Sequence, residues 1–431
     1  MRTSIVWFKT DLRLHDNETL VKAIEQSDEI IPVYCFDESH FKTTEFGFQK
    51  TGNFRGQFLL ESLQDLDKNL RAIGSGLLIV RGKPEYELYK VAQKYNAQKL
   101  FAKKEVAFEE KKTEERVEKE LWKSKCEIET FSTSTLYHAQ DLPFSIKDIP
   151  DVFTNFRKRI EKESSIREIF SAPLAIKSPN IPELQLPRLE QLGLIPSNID
   201  VRAAITFKGG ETEGYKRLHY YFTQTKAISN YKDTRNEMIG TDYSSKFSAW
   251  LALGCLSPRE IYVELKKYEE QFGANESTYW LIFELLWRDY FRFMMKKHRH
   301  QFFLQTGIKS NELNTNNHNE ELLHKWINSQ TGNDFIDANM LELKLTGYMS
   351  NRGRQNVASY LCNDLKLDWR YGAAYFEQQL IDYDVCSNWG NWAYLAGVGN
   401  DPRGNRYFNI EKQANDYDSK KTYRNLWLTK I

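Results

Sequence analysis

An α/β domain followed by an all-helical domain is the fold class that three features of this 431-residue sequence predict. Short apolar runs rich in β-branched residues alternate with helical periodicity over residues 1–131. Helical periodicity without strands then extends from residue 209 almost to residue 431. Eight of the ten tryptophans lie at or beyond position 250, so the two parts of the chain also differ in composition.

The first part has the pattern of a parallel sheet. A helix is predicted over residues 54–73, where leucines recur at helical spacing. Strands that alternate with helices form parallel sheets, because each crossover helix returns the chain to the same edge. No glycine-rich dinucleotide fingerprint follows the first strand. The predicted strands are residues 4–8, 30–36, 77–81, 99–102 and 127–131.

Residues 132–208 connect the two parts of the chain. Seven prolines interrupt this stretch, and one helix is predicted within it near residues 152–162. The predicted organisation is therefore an α/β domain at 1–131, a connector at 132–208 and a helical domain at 209–431.

Charge and composition restrict the function only in part. The net charge is +1, from 60 Lys and Arg against 59 Asp and Glu, so a nucleic-acid site has to be a local basic surface. The five cysteines are scattered singly, which is typical of reduced thiols in the cytoplasm. No apolar run reaches the roughly 18 residues that span a bilayer, and no signal peptide is recognisable. We therefore expect a cytoplasmic protein without a membrane segment.

Residues 346–356 and 382–392 contain the first candidate binding group. Asn351 and Arg354 are three residues apart, which places an amide and a guanidinium on one helix face, and such a pair can bind a flat heterocycle. A buried arginine needs a carboxylate, and we expect Asp384, two residues after Asp382, to be the partner of Arg354. A surface salt bridge beside an Asx turn is the alternative.

A hydroxyl-rich segment at 241–248 is the second candidate group. Ser244, Ser245 and Ser248 surround Lys246 ahead of a helical run, with Tyr231 upstream. Hydroxyls, free backbone N–H groups and a lysine suit a pyrophosphate. A serine cap at the start of a helix is the simpler alternative.

A third group shares one helix face, since Glu284, Trp287 and Arg288 are spaced at i, i+3 and i+4. The alternative is a core tryptophan beside an ion pair within the helix.

Basic residues fall into two kinds. Arg352, Arg403 and Arg406 flank the binding segments and are candidates for phosphate contacts. The basic run at 296–300 is typical of a helix C-terminal cap. His298 and His300 within that run have no third ligand at metal-site spacing, so no metal is assigned.

Together these segments resemble the FAD-binding core of the photolyase/cryptochrome family. Its DASH branch is indicated by the segments 46–52 and 394–404 and by Asn351-Arg352-Gly353-Arg354-Gln355-Asn356. The resemblance covers nearly the whole chain. It implies the photolyase architecture, in which a Rossmann-like antenna-binding domain precedes an all-α domain that binds FAD.

The resemblance also implies where each candidate meets FAD. It places Arg354 with Asp384 beside the isoalloxazine and Arg288 on the flavin side. Asn388 faces the flavin N5, and Asp382 contacts the flavin or the adenine side. The residues implied for the phosphates and the ribityl chain, with Phe247 packing close by, are Tyr231, Ser244, Ser245 and Ser248.

A pocket for damaged bases is implied as well. Glu284 and Trp287 lie where such bases enter. Tyr394 forms the opposite wall, where several duplex-repairing relatives carry tryptophan, and Gln355 replaces a methionine of those relatives. Photolyases are established base flippers, and a weaker wall offsets less of the few kcal/mol that unstacking a duplex base costs. Tyr394 and Gln355, which replace a tryptophan and a methionine of those relatives, therefore favour single-stranded DNA as the substrate.

Electron transfer to the flavin is implied along a chain of tryptophans. Trp392 comes first and Trp369 second, and the third family position corresponds to Asn316. The standard third tryptophan is thus missing by this alignment, and slower photoreduction or a route through a tyrosine is expected. The alternative is that both tryptophans are only core residues.

A folate antenna, 5,10-methenyltetrahydrofolate, is implied for the cleft of the first domain. Glu105 matches a folate-contacting glutamate of plant relatives. Glu45 stands where those relatives have histidine, which counts against the folate. A solvated glutamate is the alternative for both positions.

The implied activity is that of a monomeric deoxyribodipyrimidine photo-lyase, which reverses cyclobutane pyrimidine dimers in single-stranded DNA under blue light. RNA and duplex DNA are expected as weaker partners. Two other classes of function stay open. A blue-light receptor would use the same cofactor without repair, although signalling cryptochromes usually carry a long C-terminal tail and this sequence stops at Ile431. A nucleic-acid binder with a structural flavin would bind undamaged strands in a salt-dependent way without photochemistry.

Overall fold

The first domain is a five-stranded parallel sheet. The computed structural model describes residues 2–309, 319–403 and 406–429. The strand order is β3-β2-β1-β4-β5, and every neighbouring pair is parallel. The predicted α/β fold class is confirmed, and each predicted strand overlaps an observed one. The strands are β1 (Thr3–Phe8), β2 (Glu29–Asp37), β3 (Leu78–Gly82), β4 (Lys99–Lys103) and β5 (Glu127–Phe131).

Helices cover both faces of this sheet. Ile5 and Trp7 of β1 pack with residues of α3 and α4, whereas Val6 and Phe8 pack with residues of α1 and α2. Every residue of β1 is therefore buried, as expected for a central parallel strand. The helices are α1 (Glu18–Gln26), α2 (Asn53–Ala72), α3 (Pro84–Tyr95) and α4 (Phe108–Leu121).

The connector is fixed against the helical domain. It contains the predicted helix as α5 (Phe153–Glu163). Asp289, in the middle of α10 (Glu276–His298), accepts the backbone N–H groups of Leu136 and Tyr137 at 2.9 Å each. Burial raises the pKa of Asp289 to about 7. The connector thus has a defined path across the longest helix of the protein.

The second domain is helical, as predicted. Its central helix, α10, packs against α5, α7, α9 and α15. Within the described residues, the helices are too short or too polar to cross a membrane. Besides α10 they are α6 (Glu211–His219), α7 (Tyr231–Thr234), α8 (Ser248–Ala252), α9 (Pro258–Phe272), α11 (Glu320–Ile327), α12 (Asp334–Thr346), α13 (Asn351–Ser359), α14 (Trp369–Gln379), α15 (Val385–Leu395), α16 (Ile410–Asp418) and α17 (Thr422–Leu428).

Side-chain caps set the starts of two helices that carry candidate residues. Ser350 accepts the Gly353 N–H at 3.0 Å and begins α13. Asp384 accepts the Ser387 N–H at 2.8 Å and begins α15. A cap of this kind satisfies an N–H group that has no partner inside the helix. The caps therefore fix which residues of each helix face the space between them.

Candidate active site

One large cavity brings the three candidate groups together. Its volume is about 850 Å³, which lies within the range of ligand pockets. It lies among α7, α8, α10, α13 and α15, and Phe153 of α5 also lines it. The predicted residues that line it are Tyr231, Ser244, Ser245, Lys246, Phe247, Ser248, Glu284, Trp287, Arg288, Asn351, Arg352, Arg354, Gln355, Asp382, Asp384, Tyr394, Arg403 and Arg406.

The cavity floor, formed by Lys246, Arg354 and Asp382, contains two unsatisfied polar atoms. Lys246 Nζ and Asp382 Oδ1 are buried without a hydrogen-bond partner in the part of the chain that is described. The Lys246 ammonium lies 3.4 Å from the ring centroid of Tyr243 and 5.2 Å from that of Tyr348. Burial lowers the pKa of Lys246 to about 7. The floor therefore presents a cationic donor and one carboxylate oxygen that have no hydrogen-bond partner within the described residues.

Arg354 pairs with Asp382, so the predicted pairing with Asp384 is wrong. Arg354 Nη2 lies 2.9 Å from Asp382 Oδ2. Asp384 is the residue before α15, and its carboxylate accepts a backbone N–H of the first turn of that helix. Burial opposes ionisation of Asp384, but the charges of Arg288 and Arg292 outweigh it and lower its pKa. The two carboxylates of the pair thus have different partners and different roles.

An aromatic wall, formed by Trp287 and Tyr394, lines another part of the cavity. Their rings meet edge to face with centroids 5.8 Å apart. Phe153 stacks on Trp287 at 3.7 Å with an interplanar angle of 13°, which holds the indole in place. Beside the wall, Glu284 accepts a hydrogen bond of 2.6 Å from Arg235, while burial raises the pKa of Glu284.

Arg288 and Asn388 make contacts with backbone carbonyls. Arg288 lines the cavity but donates to the carbonyls of Ser134 and Leu251, and it thereby ties the connector to α8. Asn388 is 8% exposed, and its Nδ2 donates to the Ala373 carbonyl at 3.0 Å. Its neighbour Ser387 lines the cavity. The role of Asn388 at the flavin N5 stays a prediction.

Two buried tryptophans of the predicted electron path have separate aromatic neighbours. Trp392 packs against Trp326, with centroids 6.2 Å apart. Trp369 packs against Trp389, with centroids 5.7 Å apart. Asn316, which matches the third position of the path, lies outside the described residues. The path itself stays a prediction.

Comparison with known proteins decides the family. A family model described as DNA photolyase matches residues 4–179, and one described as the FAD binding domain of DNA photolyase matches residues 280–431. The chain belongs to the photolyase/cryptochrome family. Its similarity to cryptochrome DASH of Synechocystis sp. is 50% identity over the whole chain and 88% of that relative. Cryptochrome DASH of Danio rerio is 48% identical over the whole chain and 84% of its own length. These relatives place the chain in the cryptochrome DASH branch.

Solved structures of the family have the same architecture. The crystal structure of Synechocystis sp. PCC6803 cryptochrome matches with a TM-score of 0.95 at 50% identity, over 99% of this chain and 89% of that one. An archaeal photolyase from Sulfolobus tokodaii, solved with two FAD molecules, matches with a TM-score of 0.79 at 26% identity, over 99% of this chain and 90% of that one. The predicted photolyase architecture is therefore confirmed.

FAD fits the polar atoms of this cryptochrome DASH cavity. Lys246 needs an anion, and FAD has a pyrophosphate. Asp382 Oδ1 needs a donor, and FAD has N–H groups on its ring systems. Ser244 and Ser245, which precede Lys246, line the same cavity and supply hydroxyl donors. The residues that would hold FAD therefore match its charges and its hydrogen-bonding groups.

Glu105, the candidate antenna contact, lies in an ion-pair network away from this cavity. Its carboxylate is 3.0 Å from Arg292 Nη2 and 3.1 Å from Lys103 Nζ. Burial opposes its ionisation, but these cations outweigh burial and lower the pKa of Glu105. Glu45 is exposed.

Three functional candidates were missed in the sequence. Phe153 was visible only as the start of the connector helix, since nothing in its neighbourhood relates it to Trp287. Arg235 lies four residues after Tyr231, so helical spacing was a usable signal for it. Tyr407 lines the cavity beside Arg406 but belongs to no periodic pattern.

Proposed function

We propose that the protein is a deoxyribodipyrimidine photo-lyase that reverses cyclobutane pyrimidine dimers in single-stranded DNA under blue light. One observation carries this proposal: a single cavity joins a polar floor that fits FAD to an aromatic wall that fits unstacked bases. When bound in its reduced form, FAD supplies a photoexcited electron that splits the dimer and is then returned.

Trp287 and Tyr394 hold the damaged bases in this proposal. Stacking on an aromatic face contributes about 1–3 kcal/mol per base. Extracting a base from a duplex costs a few kcal/mol, and extracting it from a single strand costs less. Because Tyr394 offers a smaller ring than tryptophan would, the wall favours bases that are already unpaired.

The floor keeps positive charge beside the cofactor. Burial acts to lower the pKa of Arg354, but the Asp382 carboxylate outweighs it and raises that pKa, so Arg354 stays a cation. A fixed cation favours an anionic form of a neighbouring group. Glu284, held by Arg235, faces the same cavity and can hydrogen-bond the polar edges of a base.

A folate antenna is a separate proposal, and the repair reaction does not depend on it. Its support is the family resemblance at Glu105, which is buried where the first domain meets α10 and pairs with Arg292. Mass spectrometry of the small molecules released by denaturing the purified protein tests this proposal. Release of FAD without any folate would contradict it.

The repair proposal is tested with chemically reduced protein under anaerobic blue light. Single-stranded and duplex oligonucleotides, each with one thymine dimer, are compared with dark controls. We expect light-dependent reversal in the single strand and little in the duplex. Equal repair of both would keep the enzyme but remove the argument from Tyr394 and Gln355. Photoactive FAD without any repair would favour the blue-light receptor.

A further inference from the structure

An exposed tyrosine lies at the mouth of the cavity. Tyr407 lines the cavity and is 57% exposed. The other described tyrosines that line it, Tyr231, Tyr348 and Tyr394, are at most 8% exposed. An aromatic ring that lines the cavity and is open to solvent can offer a face to a ligand that enters.

Two arginines beside Tyr407 share one carboxylate. Asp401 is fully buried and lies 3.6 Å from Arg403 Nε and 3.3 Å from Arg406 Nε. The guanidinium of Arg406 also lies 5.0 Å from the ring centroid of Tyr394, so it joins the mouth to the aromatic wall. Arg403 remains largely exposed. One buried carboxylate thus positions two cations and neutralises only one of them.

A third arginine of the mouth binds neutral partners. Arg352 donates to Gln355 at 2.9 Å and to Asn236 at 3.0 Å. Burial lowers the pKa of Arg352; Tyr417 opposes this shift, and the positive charges of Arg235 and Arg406 add to it. Arg352 has no carboxylate partner among the described residues, and Arg403 and Arg406 share one, so this group has a surplus of positive charge that favours a polyanion.

We propose that Tyr407 is a stacking site for the base next to the lesion, and that Arg352, Arg403 and Arg406 bind the phosphates around that base. The inference rests on the proposed function, since it takes the strand in the cavity to be DNA. Basic side chains combined with exposed aromatic faces are the usual means of holding single-stranded nucleic acid. In a duplex the flanking base is already stacked and paired, so Tyr407 strengthens binding only to unpaired strands. Tyr407 is therefore a determinant of the preference for single strands, separate from Tyr394.

The test measures binding in the dark with FAD-loaded protein. Affinities are compared for a single-stranded oligonucleotide with a central thymine dimer and for the isolated thymine-dimer dinucleotide, which has no flanking base. We expect Tyr407→Ala to lower the ratio of oligonucleotide to dinucleotide affinity roughly 5- to 140-fold, because a stacked base contributes about 1–3 kcal/mol. Tyr407→Phe keeps the aromatic face and should keep most of this ratio.

Tyr86→Ala is the matched control, since Tyr86 is 50% exposed on α3 and does not line the cavity. An unchanged affinity ratio in Tyr407→Ala, while the wild-type protein repairs the oligonucleotide in light, overturns the stacking site alone. A lowered ratio with no repair by the wild-type protein supports the stacking site and overturns the proposed enzyme.

Discussion

Lys246 shows how a single residue prepares a site for an anion. Lys246 is 2% exposed, and its ammonium has no hydrogen-bond partner in the described part of the chain and lies against two phenol rings. Desolvation disfavours the charged form and lowers the pKa of Lys246 to about 7. The titratable and charged groups that face it are Tyr243, Tyr348, Glu342, Arg217, Asp242 and Arg354.

FAD binding should take up protons at neutral pH. A pyrophosphate beside Lys246 would raise the pKa of Lys246 above about 7, so the bound state would hold more protons and affinity should fall as pH rises above 7. Calorimetry of FAD binding to the apoprotein, in two buffers with different ionisation enthalpies, measures this uptake. Lys246→Met should reduce it. Glu342→Gln is the control, because burial raises the pKa of Glu342 to about 7 and it titrates in the same range. Identical heats in both buffers would contradict the prediction.

Asn388→Asp should change the light response. Asn388 Nδ2 donates to the Ala373 carbonyl, whereas an aspartate can donate there only when protonated, and burial favours that form. The variant therefore brings an exchangeable carboxylic proton to α15 beside the cavity. We expect a different absorption spectrum after blue light, with FAD still bound. A spectrum identical to that of the wild-type protein would exclude the assigned role.

The pairing of Arg354 marks the limit of sequence reasoning at the residue scale. The sequence shows both Asp382 and Asp384, but their spacing alone does not decide which of them pairs with Arg354. The choice depends on where α15 begins, because the residue before a helix directs its carboxylate to the first turn. A shift of the helix start by two residues would exchange the two roles, and helix starts are the least certain feature of a sequence pattern.

At the scale of elements, α14 and α15 meet through a glycine. A Cβ at Gly372 of α14 would overlap the indole of Trp392 on α15. Trp392 is 2% exposed and also packs on Trp326 and Phe376, so the indole has no space into which it can move. Glycine has a lower helix propensity than alanine, but its missing Cβ allows the two helices to approach this closely.

Gly372→Ala should therefore destabilise the protein. Overpacking costs about 1–3 kcal/mol, which over most of this range exceeds the ~1 kcal/mol that alanine adds in helix propensity. Urea unfolding followed by tryptophan fluorescence measures the difference. Gln379→Ala, at the end of the same helix, controls for propensity. A variant more stable than the wild-type protein would show that Trp392 can move.

Whole elements were easier to predict than their contacts. The strands were recoverable because a parallel strand covered on both faces is apolar along its length. The segment that precedes α8 was placed near FAD only through the family resemblance, because its serines also fit an ordinary helix cap. The cavity wall depends on Phe153 and Trp287, which are far apart in sequence and meet only when the connector packs on α10.

At the scale of the whole molecule, a buried ion pair joins all three parts of the chain. Asp16 of the first domain is fully buried and binds Arg259 of α9, with Oδ1 2.5 Å from Nη2 and Oδ2 3.0 Å from Nε. Asp16 also accepts the N–H of Phe170 in the connector at 3.2 Å. Residues 243 positions apart meet here, so no local pattern could have predicted the contact.

Arg259→Met should weaken the whole fold, because it leaves the Asp16 carboxylate buried and uncompensated. Removing one partner of a buried pair costs about 3–5 kcal/mol, whereas replacing both often costs little. We therefore expect Asp16→Asn combined with Arg259→Met to recover much of the loss in urea unfolding. Arg2→Met breaks the exposed pair with Asp28 and should change the free energy of unfolding little. If Arg259→Met unfolded like the wild-type protein, the domains would be held by their apolar contacts alone. If Arg259→Met instead showed a separate unfolding transition at low urea, the ion pair would be required for the domains to unfold together.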